Sequence, residues 1–326
     1  MTGLVAKSGA MREVLRVAGR VAPTDATVLV TGESGAGKDA LAAYIHSHSA
    51  RAAGPLAKID CASLPAELLE SELFGHERGA FTGATQARPG RLEAAAGGTL
   101  VLDEIAELPP DAQAKLLRVI DRKEFERLGG QRTLKVDARV IALTNVDLED
   151  AVARRAFRSD LFYRLNVVRI HVPPLRERPE DVAPLADTFL KTFARKHGRP
   201  ASRLDEAART LLKIYEWPGN VRELAHVLER AVILADGEEV TAAHCPESLR
   251  AAAAALARRG RTTSPTLAEV EADYIAEALL VARGNKSEAA RLLGISRKSL
   301  YERLARGAKD VRSQRPEATE ESDADI

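Results

Sequence analysis

Residues Val28–Asp39 read VLVTGESGAGKD. The three β-favouring residues at the start fit a short buried strand, and the small residues that follow form a turn. Beyond Gly37-Lys38 the spacing of apolar residues from Ala40 to His46 is helical. Strand, glycine-rich turn and helix in this order are the context in which G-x-x-x-x-G-K predicts a phosphate-binding loop rather than an ordinary turn.

The residue types of this loop suit phosphate chemistry. Glycines let backbone N–H groups face a phosphate without an intervening Cβ, and the following helix adds the positive end of its dipole. Lys38 supplies a point charge for the β- and γ-phosphates. Asp39 replaces the Ser or Thr whose hydroxyl normally touches magnesium, so the metal must be held mainly from elsewhere. The predicted nucleotide-binding residues of the loop are Gly32, Glu33, Ser34, Gly35, Ala36, Gly37, Lys38 and Asp39.

Composition limits the remaining possibilities. The chain has 326 residues, of which 45% are apolar, enough for one large or two to three small domains. Its 48 Lys and Arg balance 47 Asp and Glu, so any basic surface must be local. Cys61 and Cys245 lack metal-ligand spacing and predict two reduced, buried thiols. The sequence shows no signal peptide and no apolar run that could span a bilayer, which predicts a soluble, cytoplasmic protein without membrane contact.

A second chemical motif follows the apolar run Leu100–Leu102. Asp103 and Glu104 come directly after this predicted strand, and after a phosphate-binding loop the pair predicts a magnesium-binding Asp and a catalytic Glu. The alternative is that the two acids cap the next helix. Another β-rich run ends in Thr144-Asn145, whose side chains would face the ligand crevice of a parallel sheet.

The stretch Phe74–Thr85, FGHERGAFTGAT, has no periodicity and predicts a flexible loop. Phe81 lies between Gly79 and Gly83 in a chain with only 4% aromatic residues. An exposed aromatic side chain on a glycine-hinged loop is costly unless it touches a partner. The alternative is that Phe81 folds back into the core.

The order of elements predicts an α/β fold, a parallel sheet with helices on both faces, followed by a small helical subdomain and an all-α C-terminal domain. The predicted boundaries are 1–172 for the α/β subdomain, 173–248 for the helical subdomain, 249–265 for a linker, 266–308 for the C-terminal domain and 309–326 for a disordered acidic tail. In the helical subdomain, Asn220 is well placed to cap a helix over Val221–Ala235. Arg222 in its first turn opposes the helix dipole unless an anion pairs with it.

The C-terminal domain has the pattern of a helix-turn-helix: Asn285–Leu293, a turn at Gly294–Ser296, then Arg297–Leu304. Residues 283–309 contain eight Lys or Arg against two Glu, a local positive charge that suits phosphate contacts. The alternative is a helical hairpin with a solvated basic face. The predicted DNA-binding residues are Lys286, Ser296, Arg297, Lys298, Ser299, Tyr301 and Arg303.

Taken in order, these motifs resemble one family, the bacterial enhancer-binding activators of sigma-54 RNA polymerase, which belong to the AAA+ ATPases. GESGAGKD (Gly32–Asp39) is similar to that family's Walker A motif, and GGTLVLDE (Gly97–Glu104) to its Walker B motif. GAFTGA is the family's signature loop. FRSDLFYRLN resembles its arginine-finger segment, LRERPEDV and WPGNVREL resemble its helical lid, and the C-terminus resembles a Fis-type DNA-binding domain.

The resemblance implies roles for several residues. Arg158 and Arg164 would be arginine fingers, Thr144-Asn145 would sense the γ-phosphate, and Arg222 would contact the nucleotide from the lid. Asp60 stands where the family usually has an asparagine that holds the catalytic glutamate between turnovers, which implies an altered latch. The loop that would contact sigma-54 comprises Gly79, Ala80, Phe81, Thr82, Gly83 and Ala84.

The resemblance also implies the cofactors and partners. ATP and Mg²⁺ would bind at the Walker motifs, and hydrolysis would remodel the sigma-54 RNA polymerase holoenzyme from closed to open complex. Arginine fingers supplied by a neighbour need a homo-oligomer, from dimer to hexameric ring, and the C-terminal domain would bind double-stranded enhancer DNA. The family's signal-receiving N-terminal domain is absent from this sequence, so control would come from a partner, from expression level or from a lost segment.

Two other functions are compatible with parts of the pattern. A DNA-binding regulator could use nucleotide only as an assembly signal and work with the housekeeping polymerase, which a degenerate GAFTGA loop would favour. A generic AAA+ remodeller with a DNA-binding tail would act on a substrate other than sigma-54. The intact loop favours the sigma-54 activator over both.

Overall fold

The computed structural model describes residues 4–251 and, beyond them, 271, 274–275, 278–279, 282, 285–301 and 303. These residues fall into two compact units, one within residues 1–253 and the other within 254–326. Most of the predicted linker, from residue 252 onward, and the predicted acidic tail lie outside the described residues, as do Arg283, Arg306 and Lys309 of the basic stretch.

The first unit begins with an α/β part. Its elements, in chain order, are α1 (Gly9–Val21), β1 (Val28–Thr31), α2 (Lys38–Ser47), β2 (Leu56–Asp60), α3 (Ala66–Phe74), β3 (Gly75–His76), β4 (Arg88–Pro89), α4 (Arg91–Ala94), β5 (Thr99–Asp103), α5 (Pro110–Arg122), β6 (Glu124–Glu126), β7 (Thr133–Lys135), β8 (Arg139–Thr144), α6 (Leu148–Ala153), α7 (Ser159–Leu165) and β9 (Val168–His171). The five long strands form one parallel sheet in the order β2-β5-β8-β1-β9. The predicted parallel α/β fold is confirmed.

The central strands are buried on both faces of the sheet. Leu100 and Leu102 of β5 pack into a core with helices α3, α5 and α7, whereas Val101 packs on the other side with α1 and α2. Successive side chains of a strand point to opposite faces, so a strand covered on both sides reads as a continuous apolar run. This is why the strands were recognisable in the sequence.

Apolar residues recur at helical spacing from Leu4 to Val21, which predicts a helix that starts five residues before α1. The helix begins at Gly9 because Ser8 caps it: Ser8 Oγ accepts a hydrogen bond from the N–H of Met11 at 3.1 Å. The backbone N–H and the hydroxyl of Ser8 donate in turn to the buried carboxylate of Asp181, both at 2.8 Å. The chain before the helix is therefore anchored rather than helical.

The periodicity of the sequence gives no sign of the two short helices α4 and α6. It predicts a helix over Phe157–Asn166, whereas α7 begins two residues later, at Ser159. Helices of four to seven residues are too short for a periodic signal. Asp147 caps α6 by accepting from the N–H of Glu149 at 2.9 Å. Cys61 and Cys245 are both free and buried, as predicted, and burial raises the pKa of the Cys61 thiol to about 12.

The lid follows as α8 (Val182–His197), β10 (Arg203–Leu204), α9 (Glu206–Ile214), α10 (Asn220–Leu234) and β11 (Glu239–Val240). Its separate core surrounds Trp217, which is fully buried and whose indole Nε1–H donates to the carbonyl of Leu212 at 2.9 Å. The sequence predicts helices over Val182–His197, Asp205–Tyr215 and Val221–Ala235. The helices α8, α9 and α10 agree with these bounds to within one residue at each end.

The second unit contains α11 (Lys286–Leu292), capped by Asn285, whose Oδ1 accepts from the N–H of Ser287 at 3.0 Å. A turn through Gly294 (φ 66°) leads to helical backbone over 297–301. Ala289, Ala290 and Leu300 are buried together between the two helices. The predicted helix-turn-helix is present in the described residues.

Arg139 joins α1 to the sheet. It is 1% exposed, and its guanidinium donates to the carbonyls of Ala22 (2.6 Å), Val21 (2.9 Å) and Ala26 (3.3 Å). These acceptors lie at and just beyond the end of the helix, where carbonyls have no intrahelical partner. Burial lowers the pKa of Arg139, so its hydrogen bonds must compensate for the desolvation of its charge.

Replacing Arg139 by methionine should lower the free energy of unfolding by about 2–3 kcal/mol, because the variant loses three hydrogen bonds to the carbonyls of Val21, Ala22 and Ala26, two of which are buried. Urea unfolding of the full chain followed by far-UV circular dichroism measures the change. Arg118→Met is the matched control, since Arg118 is half exposed and only makes a 3.5 Å ion pair with Glu126. Equal stability of the two variants would contradict this role.

Candidate nucleotide site and partner loop

A pocket opens between the loop after β1 and the lid. The described residues that line it are Ser34, Gly35, Gly37, Lys38, Asp39, Asp103, Glu104, Phe189, Val221, Arg222 and Ala225. The first seven and Arg222 are among the predicted site residues. Phe189, Val221 and Ala225 come from α8 and α10, and sequence reasoning missed them because they look like ordinary apolar positions of amphipathic helices.

Lys38 lies in the first turn of α2, and its side chain contacts the loop. Its ammonium donates to the carbonyls of Gly32 (2.8 Å) and Glu33 (3.2 Å) and lies 3.9 Å from Glu104 Oε1. Burial lowers the pKa of Lys38, and the neighbouring carboxylates of Glu104, Asp103 and Asp39 oppose that shift. A partly desolvated ammonium at a helix N-terminus beside carboxylates is suited to an anion with several phosphates.

Two glycines of the loop are required by packing as well as by phosphate access. A Cβ on Gly32 would stand 2.6 Å from the carbonyl oxygen of Val172, and one on Gly35 would stand 2.6 Å from that of Gly219. Gly35 also has a left-handed φ of 74°. The loop therefore approaches both the end of the sheet and the lid more closely than any side chain would allow.

The lid forms hydrogen bonds with the same loop at Glu33. Arg176 donates to both carboxylate oxygens of Glu33 at 2.6 and 2.9 Å, and Asn220 Nδ2 donates to Oε2 at 3.0 Å. The Arg176 hydrogen bonds, followed by that of Asn220, lower the pKa of Glu33 to about 2. Ala36 contributes its carbonyl oxygen, which accepts from Arg178 Nη2.

The predicted role of Asn220 as a helix cap is wrong. Gly219 occupies the cap position, and the carboxylate of Glu223 accepts from its N–H at 2.8 Å. Asn220 is buried with a left-handed φ of 55°, and its Oδ1 accepts from the N–H of Leu175 at 2.7 Å. The side chain thus bridges two segments of the lid to the phosphate loop instead of capping its own helix.

Arg222 reaches the loop from the first turn of α10. Its Nη1 donates to Ser34 Oγ at 2.9 Å, and the adjacent Val221 N–H donates to the carbonyl of Gly35 at 3.0 Å. The partner of Arg222 is thus a neutral hydroxyl at the mouth of the pocket. Arg222 lies near the positive end of the helix dipole, where a cation is unfavourable unless an anion pairs with it. Its guanidinium is therefore available to an anionic ligand.

Asp103 and Glu104 lie at the carboxyl end of β5. Glu104 has a left-handed φ of 50°, which is rare for this residue type and occurs at functional sites. Its N–H donates to Asp103 Oδ1 at 3.1 Å, and its Oε2 accepts from the N–H of Asn145 at 3.3 Å. Thr144 is buried, and its Oγ1 accepts from the N–H of Val146 in its own turn at 3.0 Å. Of the predicted sensor pair, Asn145 therefore contacts the catalytic candidate.

Asp60 is the register partner of Asp103 across β2 and β5. Its Oδ1 accepts from the N–H of Ala62 at 3.0 Å, and its carbonyl accepts from Ser63 Oγ at 2.9 Å. Within residues 4–251 no hydrogen bond joins Asp60 to Glu104. The Asp60 carboxylate is thus engaged by its own turn.

The donor set fits magnesium supplied together with phosphates. Among the described residues no group of three or more His, Cys, Asp or Glu side chains could hold a metal alone. Mg²⁺ usually binds through one or two carboxylates plus substrate phosphates and water. Asp103 Oδ2 is such an oxygen. It contacts the ammonium of Lys58, which also contacts Asp39 Oδ1 and which sequence reasoning missed.

Arg158 and Arg164 lie outside this pocket. Arg158 Nη2 is 2.8 Å from Asp160 Oδ2, and Arg164 Nε is 2.8 Å from Asp121 Oδ1, with the two arginine side chains 47% and 61% exposed. Arg158 is positioned by its N–H, which donates at 2.9 Å to the buried amide oxygen of Gln113. Both guanidinium groups are thus on the surface of their own subunit.

The predicted partner loop is a compact exposed turn. The N–H of Gly79 donates to the carbonyl of Ala84 at 2.8 Å, and Gly79 and Gly83 have φ values of 83° and 106°. Phe81 is 39% exposed and its ring meets His76 edge-on at 5.1 Å. The folded-back alternative for Phe81 is therefore not what the structure shows.

A second hairpin supports this loop. The sequence over Glu124–Lys135 predicts a loop or a hairpin with Gly129-Gly130 at its tip. The structure has the hairpin, since β6 and β7 pair, and a Cβ added to Gly129 would stand 2.8 Å from Cα of Ala80. The N–H of Glu77 donates to the carbonyl of Leu128 at 2.9 Å. The hairpin thus holds the base of the loop while its tip stays exposed.

In the second unit, the predicted DNA-binding residues lie on the helix-turn-helix. Lys286, Ser296, Arg297, Lys298, Tyr301 and Arg303 are exposed, and Ser299 is half-buried. Ser296 Oγ accepts from the N–H of Ser299 at 3.1 Å, and the ammonium of Lys286 lies 5.0 Å from the centre of the Tyr301 ring. Arg303 forms an ion pair with Glu271, so it would have to exchange that partner for a phosphate.

None of the helices in the described part of the chain has the length and apolar character needed to cross a bilayer.

Comparison with known families accounts for nearly the whole chain. Residues 4–171 match the sigma-54 interaction domain, 176–261 match the AAA+ ATPase lid domain, and 266–307 match the Fis family of bacterial regulatory proteins. The first of these matches alone covers more than half of the chain.

Individual proteins agree with this result. The transcriptional regulatory protein ZraR of Klebsiella oxytoca is 48% identical over 304 residues, covering 93% of this chain and 69% of ZraR. The alginate biosynthesis regulator AlgB of Pseudomonas aeruginosa is 49% identical over 299 residues, covering 92% of this chain and 66% of AlgB. The crystal structure of NtrX from Brucella abortus in complex with ATP is 36% identical with a TM-score of 0.71, covering 93% of this chain and 69% of NtrX. The chain therefore belongs to the sigma-54-dependent transcriptional activators, and it is an AAA+ ATPase with a Fis-type DNA-binding helix-turn-helix.

Proposed function

We propose that this activator hydrolyses ATP·Mg²⁺ at the boundary between neighbouring subunits and uses the cycle to move the loop 79–84 against sigma-54. The observation that carries the proposal is the composition of the pocket. It contains Lys38, Asp103 and Glu104, whereas Arg158 and Arg164 are exposed elsewhere on the same subunit. Phosphoryl transfer in this class gains much of its rate from an arginine finger. Because Arg222, the arginine of the pocket itself, contacts the loop from the lid, we infer that a neighbouring subunit supplies the finger.

Each pocket residue then has a chemical task. The phosphates lie on the backbone of residues 35–38 and on the ammonium of Lys38, and Arg222 contacts them from the lid. Asp103 holds the metal, directly or through water, and Glu104 orients and activates the attacking water. Bound Mg²⁺ supplies positive charge to the phosphate oxygens. Thr144 and Asn145 sense the γ-phosphate. Because the N–H of Asn145 donates to Glu104, the presence of that phosphate affects the position of the catalytic carboxylate.

The arginine fingers require an assembly. We expect a homo-oligomer, a dimer on DNA that closes into a hexameric ring when active. In this ring Arg158 and Arg164 exchange their carboxylate partners, Asp160 and Asp121, for the phosphates in the next subunit. Both ion pairs are exposed, and exposed pairs are weak enough to exchange.

The loop and the C-terminal domain supply the two macromolecular contacts. Phe81 and Thr82 at the exposed tip engage sigma-54 in the polymerase holoenzyme, and their motion opens the closed complex. The helix-turn-helix binds double-stranded enhancer DNA, with the stretch 297–303 in the major groove and a dimer on inverted repeats. These partners place the activator in the bacterial cytoplasm.

Glu104→Gln should bind ATP with little change but hydrolyse it at least about 10²-fold more slowly, because the amide cannot activate water. Mixing it with Arg164→Ala should restore hydrolysis to about tenfold or more above either variant alone, since some sites then combine an intact Glu104 with a neighbour's intact arginine. Phosphate release by mixed and unmixed proteins gives the comparison. Absence of recovery, with oligomers present, would show that the arginine does not act across a subunit boundary.

Thr82→Ala should hydrolyse ATP and bind DNA like the wild type but lose transcription activation by about tenfold or more, because the loop tip contacts only sigma-54. Open-complex formation with sigma-54 holoenzyme in vitro provides the readout. Thr85→Ala is the matched control, an exposed threonine just beyond the loop. Full activation by Thr82→Ala would refute the loop assignment.

Asp60→Asn should lower the basal ATPase rate by about two- to tenfold, since the amide offers Glu104 a hydrogen-bond donor that the carboxylate lacks. The ATPase rate is measured with and without sigma-54. Unchanged values in both conditions would remove Asp60 from the latch.

A further inference from the structure

Lys58 links the two acidic positions of the nucleotide site. Its ammonium lies 2.7 Å from Asp103 Oδ2 and also contacts Asp39 Oδ1. Asp103 ends β5, and Asp39 follows Lys38 in the first turn of α2. Lys58 itself lies on β2, outside both motifs, so nothing in the spacing of those motifs points to it.

The sheet explains why Lys58 reaches this place. In the register of β2 and β5, Lys58 stands beside Val101, which packs on the sheet face covered by α1 and α2. Neighbouring residues of paired strands project to the same face. Ala57 and Ile59 are buried on the opposite face, and the side chain of Lys58, 43% exposed, extends toward the N-terminus of α2.

The contacts of Lys58 with Asp39 and Asp103 matter for the balance of charge in the site. The ammonium of Lys38 donates to the carbonyls of Gly32 and Glu33 and lies 3.9 Å from Glu104. The cation that contacts both Asp39 and Asp103 is therefore Lys58. In phosphate-binding loops of this type, the residue after the loop lysine and the acid at the strand end are the two protein positions that face the metal.

We propose that Lys58 is a built-in cation that occupies the metal-facing oxygen of Asp103 in the nucleotide-free site and competes there with Mg²⁺. This inference rests on the proposed use of Mg²⁺ by the ATPase. When the metal arrives with the nucleotide, Lys58 releases Asp103 and remains on Asp39. The exchange makes the site prefer the metal–nucleotide complex over the free metal, because phosphate oxygens must help to displace the ammonium.

The test measures how strongly Mg²⁺ strengthens nucleotide binding. The affinity of the full-length protein for a fluorescent ADP analogue is titrated with saturating Mg²⁺ and with EDTA, and the ratio of the two affinities isolates the metal's contribution. In Lys58→Met and Lys58→Gln this ratio should rise about threefold over the wild type, the size expected for removing a half-exposed ion pair. Lys58→Arg keeps the charge and should retain the wild-type ratio.

Lys115→Met is the matched control, because Lys115 is 40% exposed and pairs with Glu70 away from the pocket. Thermal unfolding by circular dichroism shows whether each variant is folded. If Lys58→Met is not folded, the test uses Lys58→Gln. An unchanged or lower ratio in the folded Lys58 variants overturns the competition. A wild-type ratio of one means that Mg²⁺ does not strengthen nucleotide binding, which overturns the proposed magnesium requirement and the inference with it. The wild-type titration alone therefore distinguishes a failure of the proposed function from a failure of the inference about Lys58.

Discussion

The nucleotide site depends on the hydrogen bonds of the buried Asn220, which bridge the phosphate loop to the lid. Its Nδ2 donates to the carboxylate of Glu33 and the carbonyl of Ser34, and its Oδ1 accepts from the N–H of Leu175. Arg176 adds two hydrogen bonds to the same carboxylate of Glu33 and, as their main cause, lowers its pKa. Because Val221 and Arg222 contact the next residues of the loop, a shift of the lid is transmitted directly to the backbone that cradles the phosphates.

Buried polar groups beneath the loop give this contact a fixed base. Arg178, 2% exposed, donates to the carbonyl of Ala36, and Asp181 three residues later accepts from Ser8 at the start of α1. Such groups are costly to bury unless they are satisfied. Asp181 is satisfied by Ser8 and Lys7, whereas Arg178 keeps its Nη2 bond to Ala36 although its Nε has no hydrogen-bond partner among the described residues. The first helix, the phosphate loop and the entry to the lid are thus held in one arrangement, although they are far apart in the chain.

Local patterns predicted the parts of the structure that local physics determines. Strands buried on both faces read as apolar runs, and the glycine-rich turn has a backbone that few residues can adopt, so β1, β5 and the loop between β1 and α2 were evident. Lys58 and Asn220 were not, since their partners lie across the sheet or in another subdomain. The same holds for Gln113, whose neighbour in space is Arg158. A single sequence carries the type of a residue but not the distant group that it meets.

In the proposed cycle, α3 connects the nucleotide site to the loop 79–84. Asp60 ends β2 opposite Asp103, and the nine-residue helix α3 then leads directly to the strand β3 that precedes Gly79. Leu69, Leu73 and Phe74 of α3 are fully buried, so the helix must move as a rigid body with the core. In the proposed cycle, a displacement of the strand ends around the hydrolysed phosphate would therefore reach the loop through one packed helix. The glycines at 79 and 83 would let the tip of the loop reorient without disturbing that packing.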